Sequence, residues 1–61
     1  MLNANTTHKG VAIAVYLRDG RAVASLVRGD RVEHHVIEHN PIEAHRLTNR
    51  QALLRAKGLL K

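Results

Sequence analysis

Histidine is the residue type in this chain that is best suited to chemistry, and four of its five copies lie close together. They occupy positions 34, 35, 39 and 45, and three of them fall within the stretch RVEHHVIEHN at residues 31–40. Imidazole exchanges protons near neutral pH and binds transition metals through its ring nitrogens. The stretch could hold a metal ion, transfer protons, or form a strand that merely carries imidazoles.

The spacing of these histidines disfavours a metal site. If residues 31–38 form a β-strand, His34 and His35 point to opposite faces and cannot share an ion. His35 and His39 share a face, but about 13 Å of extended chain separates them. A site would need His39 to combine with His45 or with a histidine of a second subunit, together with Glu38 or Glu43, and no His-Glu-x-x-His motif is present. Metal binding by histidine is therefore the third alternative, and we expect no metal and no cofactor.

Nucleophilic catalysis is the next chemistry to weigh, with Ser25 as its main candidate. The strand pairing derived below places Ser25 opposite His34. The pair lacks the orienting carboxylate and the oxyanion donors that triad chemistry requires. A cross-strand hydrogen bond explains it as well, so we expect a protein that is not an enzyme and has no small-molecule substrate.

Arginine gives the strongest chemical signal. Ten Lys and Arg stand against five Asp and Glu, for a formal charge of +5, and seven of the ten are Arg. The planar guanidinium binds phosphate or guanine through paired hydrogen bonds. Such an excess of cations favours a polyanionic partner. Tyr16 is the only aromatic residue, which argues against single-strand binding by base stacking and favours duplex DNA.

The elements that must position these residues begin with three strands. VAIAVYL and AVASLV are rich in β-branched residues and flank Asp19-Gly20, a strong signal for a two-residue hairpin turn. Gly29-Asp30 predicts a second turn before VEHHVIEH. We expect an antiparallel meander with strands near 11–18, 21–28 and 31–38.

A helix is predicted after the strands. Asn40 suits the N-cap, Pro41 the first helical position, and Glu43 the first turn, where a carboxylate favours the helix dipole. We expect one helix from Pro41 to about Lys57. The alternative is a break at residues 48–51, where TNRQ matches a capping box.

Two-residue turns fix the strand register and hence the face of each side chain. Arg18 then pairs with Arg21, and Arg28 with Arg31. Both sheet faces come out substantially apolar, although one helix covers only one of them. Glu38 falls on the second face with Val36. We expect a homodimer to cover that second face.

Four helical cations form the predicted DNA-binding site. In one continuous helix they fall within a narrow sector, and no acidic residue follows Glu43. They are Arg46, Arg50, Lys57 and Lys61. The turn arginines Arg18, Arg21, Arg28 and Arg31 are secondary candidates.

Length and composition limit the architecture to one small domain. We expect residues 1–9 to be a flexible tail and residues 10–61 to form a single basic βββα domain of the α+β class. Cysteine is absent, so disulfides are excluded. The N-terminus lacks the apolar core of a secretory signal and no run is long enough to span a membrane, so we expect a cytoplasmic protein.

The predicted order of elements, three antiparallel strands and then a helix over residues 11–57, resembles the small DNA-binding domains of integrase arms and methyl-CpG readers. It is also similar to the first half of the ribonuclease H fold. The former resemblance implies duplex binding. We therefore predict a small dimeric DNA-binding protein with a transcription-regulating or architectural role. The alternative is a protein-interaction module that docks an acidic partner.

Overall fold

Three tight turns fold the first part of the chain into a four-stranded antiparallel meander. In the computed structural model, which describes residues 1–60, the strands are β1 (Asn3–His8), β2 (Val11–Arg18), β3 (Arg21–Arg28) and β4 (Arg31–Glu38). Their order across the sheet is the order of the sequence. The prediction of three strands is therefore wrong, because β1 forms from residues that were assigned to an N-terminal tail.

The turns show why the second and third hairpins were predicted correctly and the first was not. Asp19 and Gly20 both take positive φ, as a primed hairpin turn requires, and Gly29 does the same at the next turn. Lys9 and Gly10 also take positive φ. Lysine is an uncommon residue in that region of φ, so Lys-Gly gives no turn signal in the sequence.

The predicted register of β2, β3 and β4 is confirmed up to one irregularity. Arg18 pairs with Arg21, Arg28 with Arg31, and Ser25 with His34. Near the end of β4 the register shifts, because Val23 pairs with Val36 whereas Ala22 pairs with Glu38. Ile37 is the extra residue of this β-bulge.

Two short helices follow instead of one long helix. The helix α1 (Pro41–Arg46) begins at Asn40, whose side chain accepts hydrogen bonds from the backbone of Ile42 and Glu43. The chain is extended at Leu47, and α2 (Asn49–Lys57) begins at Thr48. The prediction of a continuous helix to Lys57 is therefore wrong, and the alternative break at TNRQ is the observed one.

A capping box explains the break. Thr48 Oγ1 accepts from the Gln51 backbone at 3.1 Å, and Gln51 Oε1 accepts from the Thr48 backbone at 3.0 Å. These bonds satisfy backbone donors that a helix start leaves free. The local hydrogen bonds of a new helix thus replace those of a continuous one.

Both helices cover the same face of the sheet, which we call the covered face. Its aliphatic side chains pack beneath Ala44, Ala52 and Ala56, which are fully buried and let the helices approach closely. The fully buried side chains of largest volume are Ile13, Leu26 and Val15. The core is aliphatic and lies between one sheet face and the helices.

The opposite face of the sheet carries no helix, and we call it the open face. Its members alternate with the core residues along each strand. They are Asn3, Asn5, Thr7, Ala12, Ala14, Tyr16, Arg18, Arg21, Val23, Ser25, Val27, Val32, His34 and Val36. The structure describes one copy of the chain and gives no support to the homodimer expected to cover this face.

Candidate nucleic-acid interface

The helix break divides the predicted helical site. Arg46 ends α1, whereas Arg50 and Lys57 belong to α2, and Lys61 lies outside the described residues. On α2, Arg50 and Lys57 are about 20° apart around the axis and about 10 Å apart along it. Arg46 instead lines a groove between the helices together with Gln51 and other residues. The prediction that these cations line one side of a single continuous helix is therefore wrong.

Two acidic residues offset the positive charge on the helical side. Glu43 Oε1 lies 3.9 Å from Arg46 Nη1, and Glu38 Oε1 lies 3.0 Å from Arg55 Nη1. Hydrogen bonds from the Asn40 backbone and from Arg55 hold the pKa of Glu38 below its ordinary value. Phosphates approaching the helices would meet carboxylates as well as guanidinium groups.

The Arg28–Arg31 pair lies at one end of the covered side of the sheet, close to a carboxylate. Arg28 Nε is 3.8 Å from Glu33 Oε2, and His35 Nε2 is 3.1 Å from Glu33 Oε1. The hydrogen bond with His35, followed by the charge of Arg28, lowers the pKa of Glu33. Glu33 thus partly neutralises this arginine pair.

The Arg18–Arg21 pair lies on the open face. Unlike Arg28, these two arginines have no carboxylate paired with them within residues 1–60. The two residues are directly opposite each other at the ends of β2 and β3, and both are exposed. Like charges directly across an antiparallel pair destabilise a sheet, so the fold itself gives no reason for this arrangement.

The β-bulge removes the one acidic residue that sequence analysis had placed on the open face. Because Ile37 is an extra residue, Glu38 pairs with the buried Ala22 and contacts Arg55 of α2. Among the strand residues that the structure describes, none on the open face carries a carboxylate. An acidic residue, Asp19, does lie in the turn between Arg18 and Arg21.

A polar cluster occupies the middle of the open face. Ser25 Oγ lies 2.8 Å from His34 Nδ1, and Tyr16 Oη lies 3.0 Å from Ser25 Oγ and 3.4 Å from the same nitrogen. The Ser25–His34 pair was predicted from the sequence, whereas the contact of Tyr16 with both residues was not. Its position diagonally across from Ser25 in the same register was the available signal, since long side chains reach diagonal neighbours.

A shallow concavity of about 230 Å³ lies between this cluster and the arginine pair. Its lining combines positive charge, imidazole and an apolar floor: Arg18, Asp19, Arg21, Val23, His34, His35 and Val36. A phosphate group seated there would lie close to two guanidinium groups and to the carboxylate of Asp19. On the open face, the end of β3 and β4 far from the arginine pair is apolar, with Val32 exposed by 57% and Val27 by 39%.

The histidines do not converge on a metal. His34 and His35 lie on opposite faces, the former bonded to Ser25 and the latter to Glu33. His45 Nδ1 donates to the Pro41 carbonyl at 2.8 Å. Within residues 1–60, no group of three or more His, Cys, Asp or Glu is arranged to hold a metal ion.

Comparison with known proteins identifies no relative of this chain. No family model, no curated protein and no solved structure matches the chain. The element order that suggested integrase-arm and methyl-CpG-reading domains is itself replaced by four strands and two helices. Neither α1 nor α2, the helices of residues 1–60, has the length and apolar character needed to cross a bilayer.

Proposed function

We propose that the chain binds duplex DNA with the open face of its sheet, and that Arg18 and Arg21 contact the phosphates. The observation that carries this proposal is the charge of that face, which presents two arginines and His34 but no strand carboxylate. A face of this kind complements a polyanion. The other sheet face is covered by helices, and two of their arginines, Arg46 and Arg55, lie within 4 Å of carboxylates.

The dimensions of the sheet support a duplex as the partner. The sheet has four strands, and the three that carry the proposed contacts, β2, β3 and β4, span two interstrand spacings, or about 10 Å. The major groove is about 12 Å wide and admits β-structure as well as helices. Around Tyr16 and His34 the side chains of the open face are mostly short valines and alanines, so these parts of the sheet can approach base edges while Arg18 and Arg21 reach the backbone. We propose that this binding serves a regulatory or architectural role.

The remaining predicted contacts belong to other surfaces. Arg50 and Lys57 project from α2 on the far side of the molecule, and Arg28 and Arg31 lie on the covered side. Contacts from these residues would engage a different duplex or a strongly bent one. Arg46 lines the groove beside Glu43. We therefore rank Arg18 and Arg21 above the helical cations.

The test compares two double charge reversals. Arg18→Glu with Arg21→Glu alters the open face, and Arg46→Glu with Arg50→Glu alters the helical side by the same charge. Fluorescence anisotropy with unrelated duplexes, titrated over a range of salt, should show a log–log slope of about −0.9 per phosphate for the native chain. The open-face variant should lose measurable binding at low salt, whereas the helical variant should keep most of it.

Circular dichroism of each variant checks that the fold is retained. Equal losses in both variants would mean that binding follows net charge and has no preferred face. No binding of the native chain at low salt would exclude the DNA proposal. In that event the second candidate, a module that docks an acidic protein partner, would be favoured by the exposed Val36 beside Arg18 and Arg21.

A further inference from the structure

We infer that the open face distinguishes thymine from other bases, with Val27 and Val32 contacting the C5 methyl groups in the major groove. This inference rests on the proposed binding of duplex DNA by the same face and adds a base preference to it. The observation behind it is a row of small apolar side chains, set apart from the arginine pair, on a surface that lacks strand carboxylates.

The row crosses three strands. Val27 pairs with Val32 on one side and with Ala12 on the other. All three are exposed, Val32 by 57%. Directly opposed side chains in an antiparallel sheet have Cβ atoms about 5 Å apart, so the three form one continuous apolar strip. Nothing within residues 1–60 covers it.

The distance between the apolar strip and the arginine pair allows both to contact one DNA major groove. Six residues separate Arg21 from Val27 along β3, which corresponds to about 20 Å. The arginines at one end can therefore hold phosphates while the strip contacts bases farther along. Valine and alanine are short, and they allow the sheet backbone to approach the floor of the groove.

The chemistry of the groove selects the base. In the major groove every base pair presents hydrogen-bonding groups, but only thymine presents a methyl group, and apolar side chains pack against it. Val27 and Val32 offer no hydrogen bond to the other bases. Contact with a cytosine amino group or a guanine carbonyl would leave these polar groups without partners, which is unfavourable.

The decisive experiment replaces thymine by uracil. Two A·T-rich duplexes of the same sequence, one with thymidine and one with deoxyuridine, keep the same base pairing and differ in the methyl groups. The native chain should bind the uracil duplex about fourfold more weakly for each contacted methyl, the factor expected from burying one such group. A G·C-rich duplex with 5-methylcytosine should bind more tightly than its unmethylated form.

Matched variants assign the effect to residues. Val27→Ala with Val32→Ala should remove the preference for thymine over uracil and leave the affinity for the uracil duplex nearly unchanged. Val36→Ala, on the same face but outside the strip, should keep the preference. Circular dichroism should show that both variants stay folded, as expected for exposed positions.

The thymine and uracil duplexes test the base preference separately from DNA binding itself. Salt-dependent binding of equal strength to the thymine and uracil duplexes would overturn the thymine preference and leave the proposed DNA binding standing. A preference that survives in the Val27→Ala, Val32→Ala variant would overturn the assignment to the apolar strip. No binding to either duplex at low salt would overturn both.

Discussion

Arg55 on α2 holds Glu38 on β4: its Nη1 lies 3.0 Å from Glu38 Oε1 and 3.2 Å from the carbonyl oxygen of Ile37. The carbonyl belongs to the bulge residue, so one guanidinium stabilises both the irregular backbone and the carboxylate that follows it. Through this contact the helix keeps a negative charge away from the open face. The charge of that face therefore depends on a helix on the other side of the sheet.

The first prediction concerns the stability of the Glu38 contact against pH. Because the Asn40 backbone and Arg55 lower the pKa of Glu38, its carboxylate stabilises the fold fully above the ordinary value of 4.5. That contribution is lost as the pH falls through the lower value of the folded protein. We expect Glu38→Gln to be less stable than the native chain at neutral pH, with a difference that shrinks on acidification.

Urea denaturation at pH 7, 5 and 3 measures that difference. Asp30→Asn is the matched control, because Asp30 in the β3–β4 turn makes no ion pair within residues 1–60. Its midpoint should stay close to that of the native chain at each pH. A difference between Glu38→Gln and the native chain that does not change with pH would contradict the assigned role of the carboxylate.

The second prediction is that the open-face arginines reduce stability. Arg18 and Arg21 face each other across the β2–β3 pair, and such repulsion destabilises by a few tenths of a kcal/mol to about 1 kcal/mol. Arg21→Gln should therefore raise the free energy of unfolding while weakening DNA binding. Arg50→Gln, on an exposed position of α2, should leave the free energy of unfolding unchanged. Lower stability of Arg21→Gln would argue that Arg21 has a structural role.

The third prediction tests the cap that divides the helices. Thr48→Ala removes the side-chain oxygen that accepts from Gln51, and loss of an N-cap costs about 1 kcal/mol. Thr48→Ser keeps an equivalent hydroxyl and should be close to native. Thermal denaturation followed by circular dichroism compares them. Equal melting temperatures for the alanine and serine variants would show that the capping box does not stabilise α2.

The fourth prediction contrasts a buried with an exposed aliphatic side chain. Ile13 is fully buried, whereas Val32 is mostly exposed. Ile13→Val should cost about 1 kcal/mol, the usual effect of deleting one buried methylene, and Val32→Ala should cost much less. Chemical denaturation measures both. A large loss for Val32→Ala would show that its side chain packs within the chain, which would contradict the open face.

Local chemistry made β2, β3 and β4 predictable. Asp19-Gly20 and Gly29-Asp30 specify two-residue turns, and once the turn length is known each cross-strand pair follows. The opposition of Arg18 to Arg21 and of Ser25 to His34 was therefore available from the sequence alone. The start of α1 at Asn40 and Pro41 was available for the same reason.

The missed features depend on contacts distant in sequence. The strand β1 has the sequence NANTTH, whose Asn and Ala residues have low strand propensity although its two Thr residues favour strands, and α2 supports it from far along the chain. Asn49 Oδ1 accepts from the Asn3 backbone at 3.0 Å. The bulge at Ile37 is likewise contacted by a residue distant in sequence, since Arg55 donates to its carbonyl oxygen. Neither contact leaves a local pattern, so Glu38 was assigned to the wrong face.

The bond between Asn3 and Asn49 also constrains how the chain can fold during synthesis. Forty-six positions separate the two residues, so the first strand leaves the ribosome long before the helix that supports it exists. Until α2 is made, β1 can pair only with β2, through a turn that its own residues do not favour. The hairpins of β2, β3 and β4 should therefore form first, and β1 should join the sheet in the same late step in which α2 docks.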